Sequence, residues 1–113
     1  ELAKARSRVW ESIDPNQVQQ YAAPDSPVFD NDVELLNRLV TTGHHLDGIR
    51  MRAQVQTVDD SDDRTVLAVT WRMDGYVQRD EHGEPVERVE AQEDQIDLEI
   101  VATASGWRMV VVR

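Results

Sequence analysis

The chain has 113 residues, 40% of them hydrophobic, no cysteine, and 22 acidic against 12 basic side chains for a net charge of −10. That length carries one hydrophobic core and not two. The charge disfavours nucleic acid and anionic membrane surfaces as partners, and the missing thiols exclude disulfides, thiolate metal sites and cysteine nucleophiles.

Leu2, Ala5, Val9 and Ile13 recur at helical spacing, with Trp10 widening the stripe. This first helix is expected to stop at Asp14-Pro15, because proline disfavours helical geometry in the residue before it. Asp14 then caps a short second helix with Pro15 at its first position, turning Val18 and Tyr21 inward. Ala23-Pro24-Asp25-Ser26-Pro27 reads as a loop. Asp30 or Asp32 is expected to cap a third helix with the stripe Val33, Leu36, Leu39 and Val40, closed by Gly43.

Beyond Gly48 the apolar period changes from that of a helix to that of a strand. Ile49, Met51, Ala53 and Val55 alternate with polar residues, and the acidic run Asp59 to Asp63 is expected to end this strand as a turn. Leu67, Val69, Trp71 and Met73 mark one face of the next strand. Asp74-Gly75 reads as a bulge or bend before an extended Tyr76–Arg79, Glu81 to Glu84 as a hairpin tip, and Pro85 to Val89 as a short returning arm. Ile96, Leu98, Ile100 and Ala102 should face inward on a further strand, and Trp107, Met109 and Val111 on the last, after a Ser105-Gly106 turn. Asp97 and Glu99 are expected to lie between Arg72 and Arg108 as cross-strand ion pairs.

The pattern predicts one α+β domain over residues 1–113. Three N-terminal helices (about 1–43) pack on one face of a curved, four-stranded antiparallel sheet (about 46–113). Trp10, Trp71 and Trp107, with the single Phe29, should supply the aromatic core.

Candidate sites are weighed one by one. His44 and His45 are adjacent on extended chain and diverge, so a place after a helix end outweighs metal binding. His82 belongs to a solvated tip. The Asp59–Asp63 run lacks the spread of ligands, the Gly and the distal Glu of a calcium loop. Asp74 and Asp94 lie beside strands and Tyr21 and Tyr76 offer hydroxyls, but no spacing distinguishes any of them. No catalytic, cofactor-binding or metal-binding residue is assigned, and no cofactor is expected.

The order of elements resembles the nuclear transport factor 2-like (cystatin-like) superfold across essentially the whole chain. The closing Ser105-Gly106-Trp107-Arg108-Met109-Val110 is similar to the final strand of such domains. More narrowly, Tyr21-Ala22-Ala23-Pro24-Asp25-Ser26-Pro27, the Leu36 to Gly48 segment and Val66-Leu67-Ala68-Val69 resemble extracytoplasmic domains of actinobacterial membrane-anchored proteins and lipoproteins. The resemblance implies a cone-like fold and transfers no catalytic residue.

No run of about 20 apolar residues is present to span a bilayer, and the chain starts at Glu1 without an initiator Met. The expectation is therefore a non-enzymatic accessory or binding domain, extracytoplasmic on an upstream anchor, with the cytoplasm as the alternative location. Its partner would be a protein or a small molecule. The competing expectation is a small acid–base enzyme of isomerase, dehydratase or cyclase type, working in the sheet's concavity. Arg50, Arg52, Asp97, Glu99 and Arg108 should keep the sheet's other face polar, favouring a monomer or weak homodimer.

Overall fold

The computed structural model describes residues 2–61 and 64–113. Helix α1 spans Leu2–Ser12, a 3-10 helix spans Pro15–Gln20 and α2 spans Pro27–Thr42; strands β1 (His45–Asp47), β2 (Met51–Ser61), β3 (Arg64–Met73), β4 (Tyr76–Arg79), β5 (Pro85–Val89), β6 (Gln92–Thr103) and β7 (Gly106–Val112) follow.

The first two helical segments form as the sequence expects. Ala3, Ala5, Val9 and Trp10 are buried on α1, and Asp14 accepts a hydrogen bond from the Asn16 N–H at 3.0 Å to cap the 3-10 helix. Val18 and Tyr21 are fully buried. Helix α2 differs. Its N-cap is Ser26, whose hydroxyl accepts from the Phe29 N–H, and Pro27 stands at its first position. Neither Asp30 nor Asp32 caps it. Ser-Pro supplies both the capping oxygen and a preset φ, so the helix starts earlier. This extra turn carries Asp32 from a supposed helix end into the molecule's interior. The buried stripe of α2 is Val28, Asp32, Leu36 and Leu39, while Val40 lies on the solvent side.

The sheet is not a single four-stranded one. Strands β2-β3-β6-β7 make the main antiparallel sheet, and β1-β4-β5 make a separate three-stranded sheet. The chain turns between them at Asp74-Gly75, where an added Cβ on Gly75 would press on the backbone opposite, 3.3 Å from the Ala91 nitrogen and the Val89 carbonyl. The tip between β4 and β5 forms as expected, with the Asp80 carboxylate accepting from the His82 and Glu84 N–H groups.

Register shifts and uncovered strand ends account for the remaining departures. Val55 and Val58, either side of a bulge between Val55 and Thr57, stand opposite Val69 and Leu67 but are left uncovered, at 49% and 60% exposure. Strand β2 also starts after Ile49, which is buried in the preceding bend, and runs through Asp59 and Asp60, paired to Val66 and Thr65. The expected acidic turn therefore does not begin at Asp59, and Asp62 and Asp63 lie outside the described residues. A second shift, at Glu99/Ile100, sets Met109 against Ile100 and Val112 against Leu98. Val112 packs on the core in place of Val111, and Ala102 and Trp107 face solvent, Trp107 with 51% of its surface exposed. Trp107 is thus not a core residue.

The same registry redraws the outer face. Arg72 stands opposite Glu93 and pairs with it at 3.2 Å, and Glu99 pairs with Arg64 at 3.3 Å. Arg108 meets the Gln19 carbonyl instead. The expected Asp97 and Glu99 bridges to Arg72 and Arg108 do not form, because β7 places Arg108 opposite Val101.

Candidate functional site

The helices cover the inner face of the main sheet, and the space between them holds Asp32. Its Oδ2 accepts from Arg6 Nε at 2.9 Å, from Trp10 Nε1 at 3.2 Å and from the Tyr21 hydroxyl at 2.5 Å. Its Oδ1 accepts from Arg6 at 3.1 Å and from Asn31 Nδ2 at 3.2 Å. Trp10 Nε1 also donates to the Tyr21 oxygen at 3.2 Å. The Arg6 guanidinium lies over two indoles, 4.9 Å from the Trp10 ring centre and 5.5 Å from that of Trp71.

Each part has a local cause. Arg6 projects from α1 one residue after buried Ala5, and Trp10 follows one helical turn later on the same side. Tyr21 ends the 3-10 helix, with its backbone N–H on the Val18 carbonyl. Its carbonyl accepts from the Met109 N–H at 2.7 Å, which ties this segment to β7. Asp32 enters from the second turn of α2.

A buried carboxylate costs free energy unless it is paired and hydrogen-bonded. Asp32, with no exposed surface, meets both conditions. Burial, reinforced by the Asp32 carboxylate, pushes the Tyr21 phenol well above its ordinary value. Tyr21 therefore stays a neutral donor. Among the described residues no buried side-chain oxygen or nitrogen lacks a partner.

The arrangement leaves little chemistry open. A general base needs a lone pair aimed at a substrate proton and space for that substrate. Here both oxygens are already engaged, and Met51, Val69, Trp71, Leu98 and Met109 fill the cone around them. The larger concavities lined wholly by described residues open on the outside, along α2 and on either side of α1.

The other sequence candidates lie apart from this cluster. His44 Nδ1 meets Gln78 Nε2 at 2.9 Å, whereas His45 is exposed on β1 opposite Arg79. His82 is solvated beside Glu81. Asp60 accepts from the Thr65 hydroxyl, Asp74 pairs with Arg52 at 2.9 Å, and Asp94 is exposed opposite Trp71. Tyr76 is half-buried; burial, then the Glu87 carboxylate, raise its phenol. Among the described residues no three His, Cys, Asp or Glu side chains gather to hold a metal ion. Sequence reasoning named Tyr21 as one undistinguished hydroxyl, Trp10 as core and Asp32 as a possible helix cap, and it missed Arg6 altogether. The available signal was an arginine on the apolar side of an amphipathic helix, next to Ala5 and four residues before Trp10.

No family model matches this sequence, and no curated protein matches it. Solved structures do. The intermembrane space region of the chloroplast protein ARC6 superposes with a TM-score of 0.78 at 13% identity, over 99% of this chain and 86% of that one. An uncharacterised protein with a cystatin-like fold from Caulobacter vibrioides gives a TM-score of 0.51 at 18% identity, over 98% and 81%.

The fold is cystatin-like. At these identities the likeness concerns architecture alone, since one fold hosts many activities. Among the described residues no helix is long and apolar enough to cross a membrane.

Proposed function

We propose that this cystatin-like domain is a non-enzymatic accessory or binding module that works through its outer surface. The observation carrying this reading is the saturated interior. Among the described residues the one fully buried carboxylate, Asp32, is held by Arg6, Trp10, Tyr21 and Asn31, and apolar side chains occupy the space a substrate would need. In this reading the Arg6–Asp32 pair is an internal strut joining α1 to α2. A place outside the cytoplasmic membrane, on a membrane-anchored or secreted bacterial protein of actinobacterial type, belongs to the same proposal. What supports it is the pattern of loop and strand motifs in the sequence. The ARC6 region, from an intermembrane space, is compatible with it.

Protein-observed NMR titration with small apolar acids and ketones tests the reading, using the indole N–H signals of Trp10 and Trp71 as reporters. Neither signal is expected to move. Saturable shifts of both would show an accessible cone and would overturn the reading that the domain works through its outer surface.

A further inference from the structure

The chain is strongly acidic, yet its cations are not spread evenly. Lys4 and Arg8 on α1, with Arg50 and Arg52 at the start of β2, line a groove of about 460 Å³ on one side of that helix. Arg8 also borders a second groove, of about 490 Å³, on the helix's other side, lined by Leu2, Trp107 and Arg108. Glu11 and Asp74 are the acidic side chains in the first groove, and Asp74 is taken up by Arg52. The combined surface is therefore locally positive on a molecule of net charge −10.

Two further features set this surface apart. Among the described residues no carboxylate pairs with Lys4, Arg8, Arg50 or Arg108, which gather here, whereas of the other cations Arg6, Arg38, Arg52, Arg64, Arg72 and Arg79 each have one and only Arg88 and Arg113, elsewhere on the surface, do not. Arg108 is also held in position, donating at 2.8 Å to the Gln19 carbonyl and at 2.8 Å to the Trp107 carbonyl. Fixing a long cationic side chain beforehand lowers the entropy cost of using it in binding. Beside it stands Trp107, half exposed where Trp10 and Trp71 are buried. Tryptophan and arginine are the side chains most often found to carry binding energy at protein interfaces.

We infer that the two grooves flanking α1 form one docking surface for an acidic segment of a partner protein, anchored by an apolar side chain against Trp107 and Leu2. The inference rests on reading the domain as a binding module and names the class of its partner. Charge complementarity selects the occupant: carboxylates meet Lys4, Arg8, Arg50 and Arg108, while an apolar residue covers the indole. An anionic bilayer offers the same charge, but a flat surface cannot enter grooves. The acidic remainder of the molecule would also be repelled by it. A second copy of this chain would bring its own acidic surface, and its binding would appear as self-association.

Fluorescence anisotropy with the full chain and a short fluorescein-labelled peptide of alternating Glu and Leu tests this. A Lys/Leu peptide and phosphatidylserine vesicles serve as comparisons. The Glu/Leu peptide is expected to bind saturably, to shift the Trp107 indole signal, and to weaken as salt rises. Affinity should fall by about tenfold or more in R8E/R50E and in W107A. These residues are exposed, and unchanged thermal melts will show that the variants still fold. Absent binding, binding undiminished in both variants, preference for the Lys/Leu peptide or the vesicles, or self-association competing with the peptide would each overturn the inference. Such a result with silent Trp10 and Trp71 indoles leaves the non-enzymatic reading standing, so the two fail separately.

Discussion

Asp32 shows how one residue changes meaning with its place. A carboxylate near a helix start reads as a cap; one turn further along it is a buried anion that must find partners. Removing it in Asp32→Ala leaves Arg6, itself mostly covered, without its counter-charge. A loss of about 3–5 kcal/mol is expected in urea unfolding, the range for breaking a buried pair. Tyr21 makes a prediction in pH. Its folded-state pKa lies above the unfolded value, so its contribution is complete below about pH 10, the ordinary tyrosine pKa. Above that, the unfolded chain loses its phenol proton while the folded one keeps it, so stability falls as pH rises. Unfolding of the parent and Tyr21→Phe measured between neutral and strongly alkaline pH will show this, with the slope smaller in the variant. An equal slope would mean that Tyr21 does not couple to folding.

At the scale of elements, the ends of α2 decide most. Ser26→Ala removes the oxygen that caps it and should cost about 1 kcal/mol, read as a lower denaturation midpoint with unchanged slope. Gly43 closes the other end in left-handed geometry, φ 73°, and an added Cβ would stand 2.9 Å from the Glu81 Cβ. Gly43→Ala is therefore expected to cost about 1–2 kcal/mol from backbone conformation, with contact against the β4–β5 tip added to it. Trp107→Ala, by contrast, should leave the melt almost unchanged, since that side chain is half in water. The tip has its own control. Backbone N–H groups of Glu84 and His82 lower the Asp80 carboxylate pKa, so its help to the turn is present at neutral pH and lost on acidification. Faster amide exchange at His82 and Glu84 in Asp80→Ala will measure it.

For the whole molecule, the mismatch between sheet and helix lengths matters. Strand β6 has 12 residues and runs about 40 Å at the strand rise, whereas α2 has 16 and runs about 24 Å. The sheet therefore outruns its cover, and the chain extends 49 Å along its long axis. Its radius of gyration is 14.6 Å, above the roughly 13 Å usual for this length. The outer sheet face is laced with Arg72–Glu93, Arg52–Asp74 and Arg64–Glu99 pairs. Such a charged face is a poor interface core. Sedimentation at micromolar concentration should thus return a monomer; a tight dimer burying this face would contradict that.

The sequence by itself determined what depends on near neighbours along the chain. The stripes of α1 and β3, the Asp14-Pro15 break, the Gly43 stop and the β4–β5 tip follow from local sterics and from the two periods at which side chains repeat. The tertiary structure alone decided the rest. The shift at Glu99/Ile100 put Val112 on the core in place of Val111, because a strand's faces alternate at every residue. Trp107 shares a face with buried Met109 but sits at the strand's uncovered end. The meeting of Arg6, Trp10, Tyr21 and Asp32, and the gathering of cations around α1, join residues from separate elements. No local pattern encodes such a meeting, because it is settled by how those elements share one core.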